Sequence, residues 1–201
     1  MEHPIGALQR YSLRLFLEPN CATLSPRLIT PIFHKWIQQR SVEGLLIDVA
    51  DYGHLPDGPS TLLVGHDANF AIDGTGSRQG ISYSRKRGGA DLPLAERLNS
   101  SGKQLISAAL LLETEASTSA GDRFAFSADE IEFCANDRLL APATKETNVT
   151  LRMLVDNFGR RLFNAPAEIT PLTDGRIGFI LKTTERRSLT ALLENLTRDS
   201  T

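Results

Sequence analysis

Acids and histidines are set into the most strand-like stretch of the chain. Residues 45–73 read LLIDVADYGHLPDGPSTLLVGHDANFAID, where Asp48, Asp51, His54, Asp57 and His66 punctuate apolar runs. A carboxylate that holds an imidazole fixes its tautomer and raises its basicity. A buried Asp48–His66 pair with His54 nearby would therefore make a general base, so Asp48, His54 and His66 are the candidate catalytic residues of a hydrolase-type enzyme. The competing reading is polar trim on an ordinary hairpin. The spacing matches no metal signature, so neither a metal nor another cofactor is expected.

Which acid meets His66 depends on strand register. Taken as one strand, residues 61–72 place Leu62, Val64, His66, Ala68, Phe70 and Ile72 on a common face. If Tyr52 pairs with Leu62, Asp48 lies opposite His66. A slip of one residue instead brings Ile47 to His66 and turns Asp51 onto that face. Gly65 permits a bulge that changes the register again. Asp57, inside Pro-Asp-Gly-Pro, reads as a turn residue.

A second constellation is RKRGGADLP, residues 85–93. Cations end a strand, a Gly-Gly bend follows, and a helix begins at Asp91. Free N–H groups at a helix start beside cations hold phosphate or carboxylate well. Arg85, Lys86 and Arg87, together with Asp51, are the candidate ligand-binding residues. Against this, Asp91 as N-cap would occupy those donors, and a basic strand end also discourages edge-to-edge pairing.

The elements that must carry these residues follow from periodicity. Residues 10–18 alternate as a half-buried strand, and Leu28, Ile29, Ile32, Phe33, Trp36 and Ile37 form a helical stripe after Ser25-Pro26 or Thr30-Pro31. Strands near 44–52, 61–72 and 80–86 make an antiparallel meander. A helix capped by Asp91 runs to about residue 114, weakened at Gly102. Phe124, Phe126, Ile131 and Phe133 mark further strands. A helix over 145–163, a hairpin around Thr173-Asp174-Gly175-Arg176 and a helix capped by Ser188 complete the chain.

This order predicts an α+β fold: antiparallel sheets with about eight strands and four main helices. It divides into a first half over 1–114, a linker over 115–122 (EASTSAGD) and a second half over 123–201. Each half runs strand, helix, strand hairpin, helix, as an internal repeat would. Two such units packed together leave a cleft at their junction.

Net charge is −2, and no basic face carries interleaved aromatics, so nucleic acid is not an expected partner. No apolar run approaches the ~20 residues that cross a bilayer, so neither is a membrane. The start, MEHPIGALQRY, lacks a secretory pattern, and Cys21 and Cys134 form no disulfide framework; a reduced, cytoplasmic protein is expected.

The string LIDVADYGHLPDGPSTLLVGHDA resembles a family of bacterial conserved proteins without an assigned activity, over most of the chain. The element order also resembles the strand-helix-strand-strand module that, duplicated, forms the ligand cleft of gyrase-inhibitor-like proteins. Neither resemblance carries a catalytic residue. The functional expectation is a non-catalytic binding protein, taking a small anionic ligand between the halves or a protein partner. The alternatives are the hydrolase above and a structural or assembly protein that forms a homo-oligomer.

Overall fold

The computed structural model describes residues 4–54, 58–74, 78–88 and 91–198. A short 3-10 turn, Pro4–Ala7, leads into β1 (Tyr11–Phe16) and α1 (Pro26–Gln39), which has Ser25 at its N-cap and Pro26 in its first turn. Then come β2 (Leu46–Asp51), β3 (Pro59–Gly65), β4 (Ala68–Asp73), β5 (Gly80–Arg85) and the long α2 (Leu94–Ala120). The second half holds β6 (Glu130–Ala135), α3 (Lys145–Phe163), β7 (Glu168–Pro171), β8 (Ile177–Lys182) and α4 (Leu189–Thr197). The fold is α+β, with four helices and one eight-stranded antiparallel sheet ordered β2-β3-β4-β5-β1-β6-β8-β7.

One face of this sheet is apolar. Register places Leu63, Phe70, Tyr83, Leu13, Phe133 and Phe179 side by side in a single row across six strands, all buried. Helices cover this row: α1 lies on β2 and β3, α2 on β5 and β1, α3 on β8, and α4 against α2 and α3. The opposite face, set by the same alternation, carries Arg14, Ser82, Glu130 and Glu132. Its charges lie flat and pair with one another. Arg78 donates to both oxygens of Glu130 at 2.7 and 3.0 Å, Arg176 meets Glu132 at 3.0 Å, and the Arg14 and Arg78 guanidiniums stack over the Phe16 ring.

The halves meet at the β1–β6 pair inside one continuous sheet. Outward from it the first half places β5 and then β4, and the second half places β8 and then β7. Only the first half adds two further strands, β3 and β2.

Four sequence expectations change. Residues 61–72 are two strands, because the chain reverses at His66-Asp67. The stretch 115–122 supplies the last turns of α2, which ends at Gly121 with φ +75°. Small polar residues suggested a linker there, yet Ala116 is buried in the core and Glu115 accepts the Trp36 indole N–H at 2.7 Å, tying the helix end to α1. Helix α2 also passes unbroken through Gly102, where a Cβ would meet Leu196 at 2.8 Å and Phe158 at 3.1 Å. That glycine lets three helices approach closely. Finally, the N-cap of α2 is Pro93 and makes no side-chain cap bond, so Asp91 does not cap the helix. Asp57 lies outside the described residues, as does part of the Gly-Gly bend.

Candidate functional site

The two sequence constellations converge on a single corner, in a different combination from the one expected. Strand β2 pairs Ala50 with Leu62 and Asp48 with Val64, with a bulge between Leu46 and Asp48. His66 falls outside β3, in the turn to β4, so Asp48 does not face it. His54 follows the far end of β2, on the order of 15 Å from His66 at the usual rise per strand residue. Asp48 accepts the Val49 N–H at 2.8 Å, and Asp51 accepts the Gly53 N–H at 2.8 Å. Strand β2 is a sheet edge, and a carboxylate folded onto its own backbone occupies a donor that a foreign strand would otherwise find.

The turn that holds His66 is tight and well anchored. A Cβ on Gly65 would lie 2.4 Å from the Ala68 carbonyl oxygen, so only glycine fits. The Asp67 carbonyl accepts the Lys86 N–H at 2.8 Å and the Arg87 N–H at 3.2 Å. Lys86 Nζ donates to the Gly65 carbonyl, and Arg87 Nε donates to the His66 carbonyl at 3.1 Å. The cations after β5 therefore clamp the β3–β4 turn, and His66 Nδ1 lies 2.8 Å from its neighbour Asp67 Oδ1.

Clamping the turn leaves a cavity of about 260 Å³ between the α1–β2 loop, the β3–β4 turn, the end of β5 and α2. Glu43, His66, Asp67, Arg85, Arg87 and Tyr83 carry its polar wall, with Ser100 and Gln104 contributed by α2. Of the sequence candidates, His66, Arg85 and Arg87 line it. Lys86 holds the turn instead, and Asp48, Asp51 and His54 do not take part.

Arg85 is the unusual residue. Its cross-strand partners are Tyr11 and Ala68, which puts it on the helix-covered side of the sheet. Its Nη2 donates to the Gly88 carbonyl, while its Nε is buried and meets no hydrogen-bond partner among the described residues. Such an orphaned donor costs roughly 1–3 kcal/mol unless something accepts from it. Burial pushes the neighbouring Tyr83 phenol up to about 12, with the Arg85 charge opposing. The phenol is neutral at ordinary pH and so retains a proton to donate. Burial also raises Tyr11, whose hydroxyl lies 2.9 Å from Ser101 Oγ; the Ser101 bond, the Arg85 and Arg97 charges and a weaker hydrogen bond with the Arg85 guanidinium work against that rise.

Beneath this network Arg97, 1% exposed, donates to the carbonyls of Gly6 and Leu8 at 2.6 Å each and of Leu92 at 3.1 Å. Tyr11, Tyr83, Arg97, Ser101 and Gln104 were missed by sequence reasoning. The alternation Ile81, Tyr83, Arg85 was a usable signal: it puts a phenol and a guanidinium on the apolar face of β5.

The strand register lets the two halves be compared position by position. Leu13 pairs with Phe133 at the centre of the sheet, so Tyr11 corresponds to Ile131, each two residues earlier on its strand. Their outward partners are Arg85 and Leu181. Likewise Tyr83, partner of Leu13, corresponds to Phe179, partner of Phe133. Where the second half has Ile131, Leu181 and Phe179, all buried, the first has Tyr11, Arg85 and Tyr83. Helix α3 seats directly on Leu181: a Cβ on Gly159 would come within 2.7 Å of it.

Elsewhere a larger cavity of about 480 Å³ lies at the ends of β6 and β8, beside Cys134, Arg138 and Arg176. Burial raises the Cys134 thiol to about 11, which keeps it protonated at ordinary pH. Among the described residues no three metal-ligating side chains converge, and no helix is long and apolar enough to cross a membrane. Comparison with protein-family models, with curated proteins and with solved structures finds no match.

Proposed function

We propose that this protein binds a small molecule through an anionic group, in the corner cavity rather than between the halves. The observation that carries the reading is the buried Arg85 Nε, an unmatched donor on the helix-covered, largely apolar face of the sheet. Arg87 and the neutral Tyr83 phenol lie in the same wall and supply further donors. At the seam between the helices Gly102 packs closely against Leu196 and Phe158.

The matching outward strand orders support a further part of this reading, in which the halves are copies of one unit. The β2–β3 pair is then the addition that walls the cavity. A thermal-shift screen of small carboxylates and inorganic phosphate tests the binding reading. Stabilisation should occur in the native protein and vanish in Arg85→Leu, which copies the residue of the second half. No stabilisation by either class, or equal stabilisation of both proteins, overturns it.

One observation favours a second reading. The His66–Asp67 contact at 2.8 Å gives an imidazole oriented by a carboxylate at the cavity wall, the arrangement a hydrolytic general base needs. The hydrolase alternative then rests on His66 with Asp67 rather than Asp48. Turnover of ester or phosphoester substrates that is lost in His66→Gln would support it; no turnover across both classes would end it.

A further inference from the structure

The charges around the cavity narrow the chemistry of the occupant. Its described lining carries two guanidiniums, Arg85 and Arg87, and two carboxylates, Glu43 and Asp67. The formal charges of these four side chains sum to zero. A bound phosphate dianion would leave its charge uncompensated by this wall, which is unfavourable. An occupant with one positive and one negative pole meets no such penalty, because each pole finds an opposite partner.

The depth of the charges points the same way. Arg85 is half-buried with its Nε inside, whereas Glu43, Asp67 and Arg87 are exposed at the rim, where the acids outnumber the cation. Asp67 uses Oδ1 for His66. At about 260 Å³ the cavity falls below the ~300–1,000 Å³ range of drug-sized clefts, so the occupant is a small metabolite.

We infer that the ligand is a zwitterion of the size of a free α-amino acid, its carboxylate held by Arg85 with Tyr83 and its ammonium held at the mouth by Asp67 and Glu43. This inference rests on the binding reading above and specifies the ligand for that same cavity.

The test uses the full chain with four sets of probes: the free protein amino acids, their N-acetyl derivatives, their methyl esters, and inorganic phosphate. Thermal shift finds the binders and calorimetric titration ranks them. At least one free amino acid should bind, with affinity falling about tenfold or more on acetylation, which removes the ammonium, and on esterification, which removes the carboxylate. The double variant Asp67→Asn, Glu43→Gln should weaken the free amino acid and leave its N-acetyl form unchanged. Both acids are exposed, so the fold should survive their replacement, and a melting curve checks this. Arg85→Leu should abolish both interactions.

Tighter binding of N-acetyl derivatives or phosphate than of any free amino acid, still dependent on Arg85, overturns the zwitterion and leaves the anion site standing. Failure of every probe overturns both. A double variant that binds free amino acids as well as the native chain overturns the role given to the rim acids.

Discussion

The half built on β1 and the half built on β6 set their strands in the same outward order, yet they treat equivalent positions differently. The second half fills them with Ile131, Leu181 and Phe179, and α3 closes over them at Gly159. The first half places Tyr11, Arg85 and Tyr83 there, adds β2 and β3 beyond, and leaves a cavity under the added turn. Packing alone explains the apolar set. It does not explain a half-buried guanidinium with an orphaned donor, and on that difference rests the proposal that the ligand site lies in the first half.

The largest expected effect comes from what holds the first half's helix in place. Arg97→Met leaves the Gly6, Leu8 and Leu92 carbonyls without their donors and should destabilise the protein by about 3 kcal/mol. Chemical denaturation measures this. A change near zero would mean that the segment before β1 does not depend on the clamp.

Next comes the alkaline limb. Tyr83 titrates at about 12 in the folded state against 10.0 unperturbed. The unfolded chain therefore releases this proton first, and stability is intact below about pH 10 and falls as pH rises toward about 12. The full loss is about 2–3 kcal/mol. Tyr83→Phe, which writes the second half's Phe179 into the first, should flatten that limb; an unchanged slope would remove Tyr83 as its source.

At the seam, Gly102→Leu forces a side chain into Leu196 and Phe158 and should cost about 2 kcal/mol. A neutral result would mean that the seam has slack and could open. The smallest effect is expected at Asp48→Asn, which alters the edge of β2 alone and should change stability by less than ~0.5 kcal/mol, with ligand binding untouched. Loss of binding there would restore the acid to the site.

Much of the fold was legible because periodicity reports which face of an element is buried. Helix α3 over 145–163, the Ser188 cap and the Asp174-Gly175 hairpin follow from local patterns that tertiary contacts reinforce. The β3–β4 turn was not legible. Its centre is His66-Asp67, and the Gly65 beside it read as a bulge within one strand, so the run 61–72 read as continuous and His66 was assigned to a strand face. The site was half legible for a related reason. Arg85, Arg87 and His66 stood out as residues, but their meeting depends on β4 pairing with β5 and on α2 crossing β5 and β1, contacts between segments well separated along the chain. Tyr11 and Tyr83 looked like core because alternation distinguishes faces and says nothing of a cavity at one end of a face.

Backbone-amide NMR titration of the full chain with a pool of free amino acids at millimolar concentration tests the central claim most directly. Shifts should cluster at 43–46, 65–68, 83–88 and 100–104, and the corresponding stretch around Leu181 and Gly159 should stay still. Shifts concentrated in the second half or along the α2–α4 seam, or none anywhere, would contradict the account.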